Sequence, residues 1–384
     1  MSEISIVAET FRDLTTWLIS PDEFSVEQLN RLTHEDLCLP LISLANRYWL
    51  IGWLTSSLKQ SKIWLELPKQ LQDYLLEVEE IYDRRNQMIR SEVQYVCTLL
   101  SDNNIDIVLI KGAASLFNGT LASLSTRYMN DIDLLIPEDK QQQAYQLLLR
   151  AGYSKDDEYF NINSYDAHHA PPLKRNNVCY VELHRWLLAK HLSKVIDTKN
   201  VWTSTRPLTL SNSIVVKQLS ATQQVILSIA HSEIQNGGFD HYHIDLHQLM
   251  NLHSIVKHYA HNVDWQIVWQ HFENAEQKLT LQTALYNAYE LTGMNTPITD
   301  LNDPYSKKHF NKCIERYVKR QGEDSLFSVT MEQVYLYKKR NIQLKFGSNT
   351  NFWYIKGVCG QLKNHFEKIF NQQHLRLLIK RIHH

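Results

Sequence analysis

The stretch Ser125-Thr126-Arg127-Tyr128-Met129-Asn130-Asp131-Ile132-Asp133-Leu134-Leu135-Ile136 decides how this chain is read. Two aspartates, one residue apart, open a short apolar run. An arginine stands four residues before the first of them. Side chains alternate between the two faces of a strand. A strand over 131–136 therefore puts Asp131, Asp133 and Leu135 on one face and Ile132, Leu134 and Ile136 on the other. Neighbouring carboxylates repel each other unless water or a divalent cation offsets the charge. Hard oxygen ligands at this spacing suit Mg²⁺ or Mn²⁺.

Just upstream, 105–110 reads as a short strand rich in Ile and Val. It runs into Lys111-Gly112-Ala113-Ala114-Ser115, which opens a helix through about Asn118. A turn between a strand and a helix N-terminus can hold a phosphate on backbone N–H groups. Lys111 adds a cation there. Downstream, Pro137-Glu138-Asp139 starts a helix to about Arg150, which Ala151-Gly152-Tyr153 ends. Then come His168-His169, a turn at Asn176-Asn177, and Val178-Cys179-Tyr180-Val181-Glu182-Leu183-His184. The turn between two extended segments predicts a hairpin. Cys179, Val181 and Leu183 face the core, and Tyr180, Glu182 and His184 project the other way. This strand is expected beside the aspartate strand, which brings a third carboxylate to the pair.

The flanks read as helical. Residues 1–100 carry apolar residues at helical spacing, with one long pattern from Leu67 to Leu100 stopped by Asp102-Asn103-Asn104. Trp49, Trp53 and Trp64 are expected in its core. From Ser220 the chain turns helical again. Ser220-Ala221-Thr222-Gln223 has the form of a capping box, and Val225, Ile226, Ile229 and Ala230 form the buried stripe. His231 is expected to hydrogen-bond Asp245. One helix follows through Leu246 and Met250, and another from Trp265 to Leu291. The division expected is a helical region 1–100, a sheet-bearing core 101–215, a helical domain 216–300 and a basic tail 301–384, an α+β fold overall.

With 384 residues, 43% of them hydrophobic, the chain can bury a core without covalent staples. Five scattered cysteines with no CxxC pair point to a reducing, cytoplasmic setting. The N-terminus lacks a basic stretch followed by an apolar core, so no signal peptide is expected. No uncharged apolar run reaches the length of a membrane span. The net charge of −1 is unevenly spread. From Lys307 onward there are sixteen Lys/Arg against five Asp/Glu, which makes an RNA acceptor a reading worth carrying.

Two aspartates on one strand face and a carboxylate on the next can hold two divalent metals about 4 Å apart. In that scheme Asp131, Asp133 and Glu182 are the metal ligands, and Glu182 is a candidate base for the nucleophile. Lys111, Gly112, Ala113 and Arg127 cradle and neutralise phosphates. His168, His169 and His184 are candidate walls of the site.

The ordered set Lys111-Gly112, Arg127-x-x-x-Asp131-Ile132-Asp133-Leu134-Leu135, Gly152-Tyr153, His168-His169 and Glu182-Leu183-His184 resembles the bacterial nucleotidyltransferase-like proteins known as uncharacterised nucleotidyltransferases. The resemblance covers roughly 70–300. It implies the polymerase-β-like nucleotidyltransferase fold, a small mixed sheet flanked by helices. It also implies a Mg²⁺-dependent transfer of a nucleoside monophosphate from an NTP, with ATP the expected donor, to a small-molecule, peptide or protein acceptor with pyrophosphate release. One position departs from the superfamily: the usual Gly-Ser is Gly112-Ala113 here, and Lys111 or Ser115 is expected to replace the serine. Two other readings stand beside this one. One is a nucleotide-binding regulatory protein that has lost transfer. The other is a metal-dependent phosphohydrolase using the carboxylates with the histidines.

Overall fold

A computed structural model describes residues 3–155, 168–175, 178–211 and 214–320. The expected Asn176-Asn177 turn and the basic tail past Arg320 lie outside the described residues.

Five helices come first: α1 (Glu3–Ile19), α2 (Val26–Thr33), α3 (Glu35–Arg47), α4 (Ile51–Leu58) and α5 (Lys69–Ser101). The stop expected at Asp102-Asn103-Asn104 is where α5 ends, with Asn104 in the left-handed region at φ 54°. Strand β1 (Val108–Leu109) is shorter than the expected 105–110. Ile105 and Ile107 are still buried, and the Ile107 carbonyl accepts from Lys217 N at 3.0 Å. Helix α6 (Lys111–Ser115) ends three residues before Asn118, and β2 (Asp131–Leu135) follows.

After α7 (Gln141–Arg150) come β3 (Ser154–Lys155), β4 (Leu173–Lys174) and β5 (Tyr180–His184). Strands β4 and β5 pair antiparallel, as a hairpin requires. A short α8 (Thr198–Val201) leads to β6 (Thr205–Ser211) and β7 (Ile214–Leu219), an antiparallel pair that the sequence reading passed over. The seven strands form one mixed sheet in the order β3-β4-β5-β2-β1-β7-β6, with β2·β5 and β1·β7 parallel. The fold is therefore α+β.

The alternation within β2 works as its residues dictate. Ile132, Leu134 and Ile136 enter one apolar cluster, together with Val181 and Leu183 of β5 and Val93, Val96 and Leu100 of α5. Leu135 enters a second cluster on the opposite face. That second cluster joins the N-terminal helices to those after the sheet: α9 (Ala221–Ile229), α10 (Leu246–His258), α11 (Trp265–Asn274), α12 (Lys278–Thr292) and α13 (Pro304–Arg320). Sequestering aliphatic side chains on both faces stabilises the sheet, at about 25 cal/mol per Å² of apolar surface removed from water.

Two expectations fail here. The single helix from Trp265 to Leu291 is two, because Glu276 takes φ 58° and breaks the run between α11 and α12. Trp53 and Trp64 pack against the core, but Trp49 is 48% exposed. Trp49 instead stacks on Tyr128, with ring centroids 4.4 Å apart and planes 13° apart. Among the described residues, no helix is long and apolar enough to cross a membrane.

Candidate active site

Register makes the site. Strands β2 and β5 run parallel with Asp133 opposite Glu182 and Asp131 opposite Tyr180. Opposite residues in a ladder share a face. Asp131, Asp133 and Glu182 therefore project together from the face opposite the Ile132–Leu134 cluster.

The loop that delivers β2 is tied down from α5. Fully buried Asn86 donates from Nδ2 to the carbonyls of Leu124 and Arg127. Arg85 donates from Nε to the Met129 carbonyl at 2.8 Å. Gly52 of α4 lets the loop pass, since a Cβ there would lie 1.9 Å from the Ser125 carbonyl oxygen.

Lys111 closes the site from the other side. Its Nζ donates to Asp133 Oδ1 at 3.1 Å. Its backbone sits at φ 50°, in the left-handed region that a residue with a Cβ seldom adopts. Such strain costs about 1–3 kcal/mol and persists where the surroundings enforce it. Gly112 next to it gives passage to other groups, because a Cβ there would meet Arg127 Nε and Met129 Cε, each at 2.9 Å. Ala113 is buried, and the Ser115 hydroxyl, also buried, donates to the Lys111 carbonyl at 3.2 Å. Helix α6 has only five residues, so the positive charge at this turn comes chiefly from Lys111 and Arg127 rather than from a helix dipole.

His184 Nε2 lies 2.7 Å from Asp133 Oδ1 and 3.5 Å from Glu182 Oε2. His169 Nε2 lies 3.6 Å from Glu182 Oε2. His169 is bridged to His184 as an antiparallel partner, and the rings of His168, His169 and His184 crowd together with centroids 4.6–5.2 Å apart. Arg127 Nη1 donates to Asn251 Oδ1 of α10, while its buried Nε has no hydrogen-bond partner. The Asp245 side chain caps α10 through the N–H groups of His247 and Gln248. His231 is therefore not the partner of Asp245 that was expected. It lies instead in the field of Lys111, Asp133 and His184, on a π-helical turn (Ala230–Gln235).

Charge is crowded in the site. The Asp131 carboxyl is pushed up to about 7, first by the charge of Asp133, then by burial and Glu182, against Lys111 and Arg127. Burial would raise Asp133 too, but Lys111 and the His184 hydrogen bond outweigh it and hold Asp133 well below the carboxylate range. Burial also works against Glu182, yet its bond with His184 lowers it. Burial would lower Lys111 and His184, and the surrounding carboxylates overcome that and raise both. Burial above all pushes His231 down to about 3, helped by Lys111 and opposed by Asp133.

Three carboxylates thus crowd together against Lys111, Arg127 and the His184 imidazole, and Asp131 carries the remaining repulsion as a raised pKa. Carboxylate oxygens crowded in this way fit a divalent cation. One donor atom from each of Asp133, Glu182 and His184 lies within 4.8 Å of the others.

A cleft of about 820 Å³ opens beside Asp131, between the α3–α4 loop, the entry to β2, the start of α10, and α13. Its walls include Trp49, Tyr128, Arg127, Asp245 and Arg316. Trp49 is the functional candidate that the sequence reading misplaced, and its residue type alone carries no signal for it.

Comparison with curated proteins gives no match. The family model described as uncharacterised nucleotidyltransferase matches residues 39–293, well over half of the chain, and the chain belongs to that family.

Proposed function

We propose that the protein transfers a nucleoside monophosphate from an NTP, with ATP the expected donor, to a hydroxyl-bearing acceptor, releasing pyrophosphate. The observation that carries this reading is the β2·β5 register, with Asp133 opposite Glu182 and Asp131 on the same face. In this reading Asp131, Asp133 and Glu182 hold a divalent ion, Mg²⁺ or Mn²⁺. When bound, that ion would supply Lewis-acid charge for the transferring phosphoryl group.

The remaining work falls to the chain's own groups. Lys111 and Arg127 offset phosphate charge at the Gly112-Ala113 turn. His184 holds Asp133 through its Nε2 hydrogen, which fixes the carboxylate while substrates exchange. Glu182 is kept ionised beside His184 and accepts the proton of the attacking hydroxyl. The 820 Å³ cleft beside Asp131 is large enough for a small molecule or a peptide side chain, and its Trp49–Tyr128 stack offers one aromatic wall.

Labelled-NTP transfer tests this proposal. Asp133→Ala is expected to abolish transfer while the melting transition stays cooperative. Transfer that survives Asp133→Ala, or release of inorganic phosphate instead of pyrophosphate, overturns it.

A further inference from the structure

The α3–α4 connection turns one large aromatic ring outward between two buried neighbours. Tyr48 and Leu50 are 7% and 1% exposed, whereas Trp49 is 48% exposed. The turn is fixed by its own backbone. The Trp49 N–H donates to the Asn46 carbonyl at 3.0 Å, and the Leu50 N–H donates to the Ala45 carbonyl at 2.8 Å. Within it Trp49 takes φ 57°, an outlier for a bulky side chain. Such backbones persist where the surroundings enforce them, and they cluster at active sites and ligand clamps. One face of the indole is covered by Tyr128, which also meets the Tyr82 ring at 5.0 Å and the Arg85 guanidinium at 5.2 Å. Among the described residues no further ring stacks on Trp49, and it lines the cleft beside Asp131.

We propose that the base of the donor NTP stacks on Trp49, so that the cleft between the α3–α4 loop and α10 is the nucleoside end of the donor site. Arg127 joins this cleft to the phosphate turn. Its side chain lines the cleft wall, and its Nε lies 2.9 Å from where a Cβ on Gly112 would stand. A triphosphate at that turn, with its α-phosphate at the aspartates, therefore has its nucleoside next to the cleft. The acceptor has a different requirement. Its hydroxyl has to come within hydrogen-bond reach of Glu182, and the cleft is lined by Asp131 but not by Asp133 or Glu182. A planar aromatic base is also the part that every NTP shares, and stacking on an aromatic side chain tolerates any base. Trp49 touches no reacting atom in this arrangement. It binds the donor and holds the α-phosphate in place through the sugar.

The inference rests on the reading that the site binds an NTP, and titration calorimetry with ATP and with inorganic tripolyphosphate, each with Mg²⁺, separates the two. Trp49→Gly suits the left-handed backbone and removes the ring. It is expected to weaken ATP binding about tenfold and to leave tripolyphosphate, which has no base, within about twofold. Trp49→Phe keeps an aromatic face and should stay within about threefold of wild type for ATP. Wild-type protein that binds no ATP overturns the functional reading together with this one. ATP binding that is unchanged in Trp49→Gly overturns the stacking alone and gives the ring to the acceptor. Equal losses for ATP and tripolyphosphate also overturn it, since the ring would then only hold the site together. A second measurement decides the matter if Trp49→Gly does not fold. The nine tryptophans are labelled as 5-fluorotryptophan, and the ¹⁹F resonance missing from Trp49→Phe is assigned to Trp49. ATP is expected to shift that resonance and tripolyphosphate to leave it in place. A Trp49 resonance that ignores ATP, or that responds equally to both, overturns the proposal.

Discussion

Glu92 and Asp133 are both buried acids, and the molecule treats them differently. Glu92, on α5, receives Arg175 through Nε at 3.2 Å and Nη2 at 2.9 Å, and the Tyr153 hydroxyl donates to it as well. The Arg175 guanidinium lies in turn over the rings of Tyr95 and Tyr153, at 3.9 and 5.0 Å. One carboxylate thus meets one fork-shaped cation and a phenol, and the cluster is closed. Around Asp133, three carboxylates share Lys111, Arg127 and His184, and their mutual repulsion appears as the raised Asp131 carboxyl. A closed cluster holds structure, whereas one left with unrelieved repulsion can receive a charged ligand.

The largest expected effect removes that repulsion. Asp131→Asn should lower transfer by about 10³-fold or more, since it deletes a ligand needed in the transition state. In the absence of metal it should also raise stability, by about 1–3 kcal/mol at pH 8, because the raised carboxyl is a cost borne by the folded state. Transfer assays paired with chemical denaturation in EDTA check both halves. A variant that is inactive and less stable would erase the contrast with Glu92.

The converse substitution belongs to the closed cluster. Arg175→Ala strands Glu92 with only a phenol for a partner, and breaking a buried pair from one side costs about 3 kcal/mol. Denaturation should show that loss, while kcat per folded molecule changes less than about threefold. A large fall in kcat would mean that the two regions are coupled through α5.

Glu233 is a third, partly buried acid, with neither kind of partnership. It sits on the π-helical turn, where burial pushes its carboxyl up to about 7, against a hydrogen bond from the Ser232 hydroxyl. Its unfolded value is 4.5, so between there and 7 the folded protein keeps a proton that the unfolded chain has released. The contribution of this one group is then greatest below pH 4.5, falls as pH rises toward 7, and is flat above, a loss of roughly 3 kcal/mol from this side chain. Glu233→Gln should flatten that slope, as denaturation midpoints across the range would show.

The open cluster was legible in the sequence because each part rests on short-range pattern. Period-two alternation places Asp131 with Asp133, and the Glu182-Leu183-His184 spacing repeats the argument on β5. What escaped reading depends on distant contacts. The β6·β7 pair contains Arg206, Pro207 and Lys217 and looks too polar for a strand, but β7 finds its place by pairing with β1 more than a hundred residues upstream. The break between α11 and α12 uses Ala275-Glu276-Gln277, with neither glycine nor proline to announce it. Trp49 was expected in the core because tryptophan usually is buried, whereas its backbone takes φ 57° and its ring stacks on Tyr128 at the cleft.

The smallest effect tests how completely the Glu92 cluster is closed. Tyr153→Phe removes the phenolic hydrogen bond to Glu92 and leaves Arg175 in place. The carboxylate keeps its two guanidinium bonds, so the loss should be about 1 kcal/mol, the net worth of one hydrogen bond. Burial and the bond to Glu92 both raise the Tyr153 phenol, so the ring donates a hydrogen without ionising at working pH. A double-mutant cycle with Arg175→Ala should give a coupling of at least about 0.5 kcal/mol, since both groups hold the same carboxylate. Strict additivity would mean that Tyr153 and Arg175 hold Glu92 independently, and the description of that cluster as one closed unit would fail.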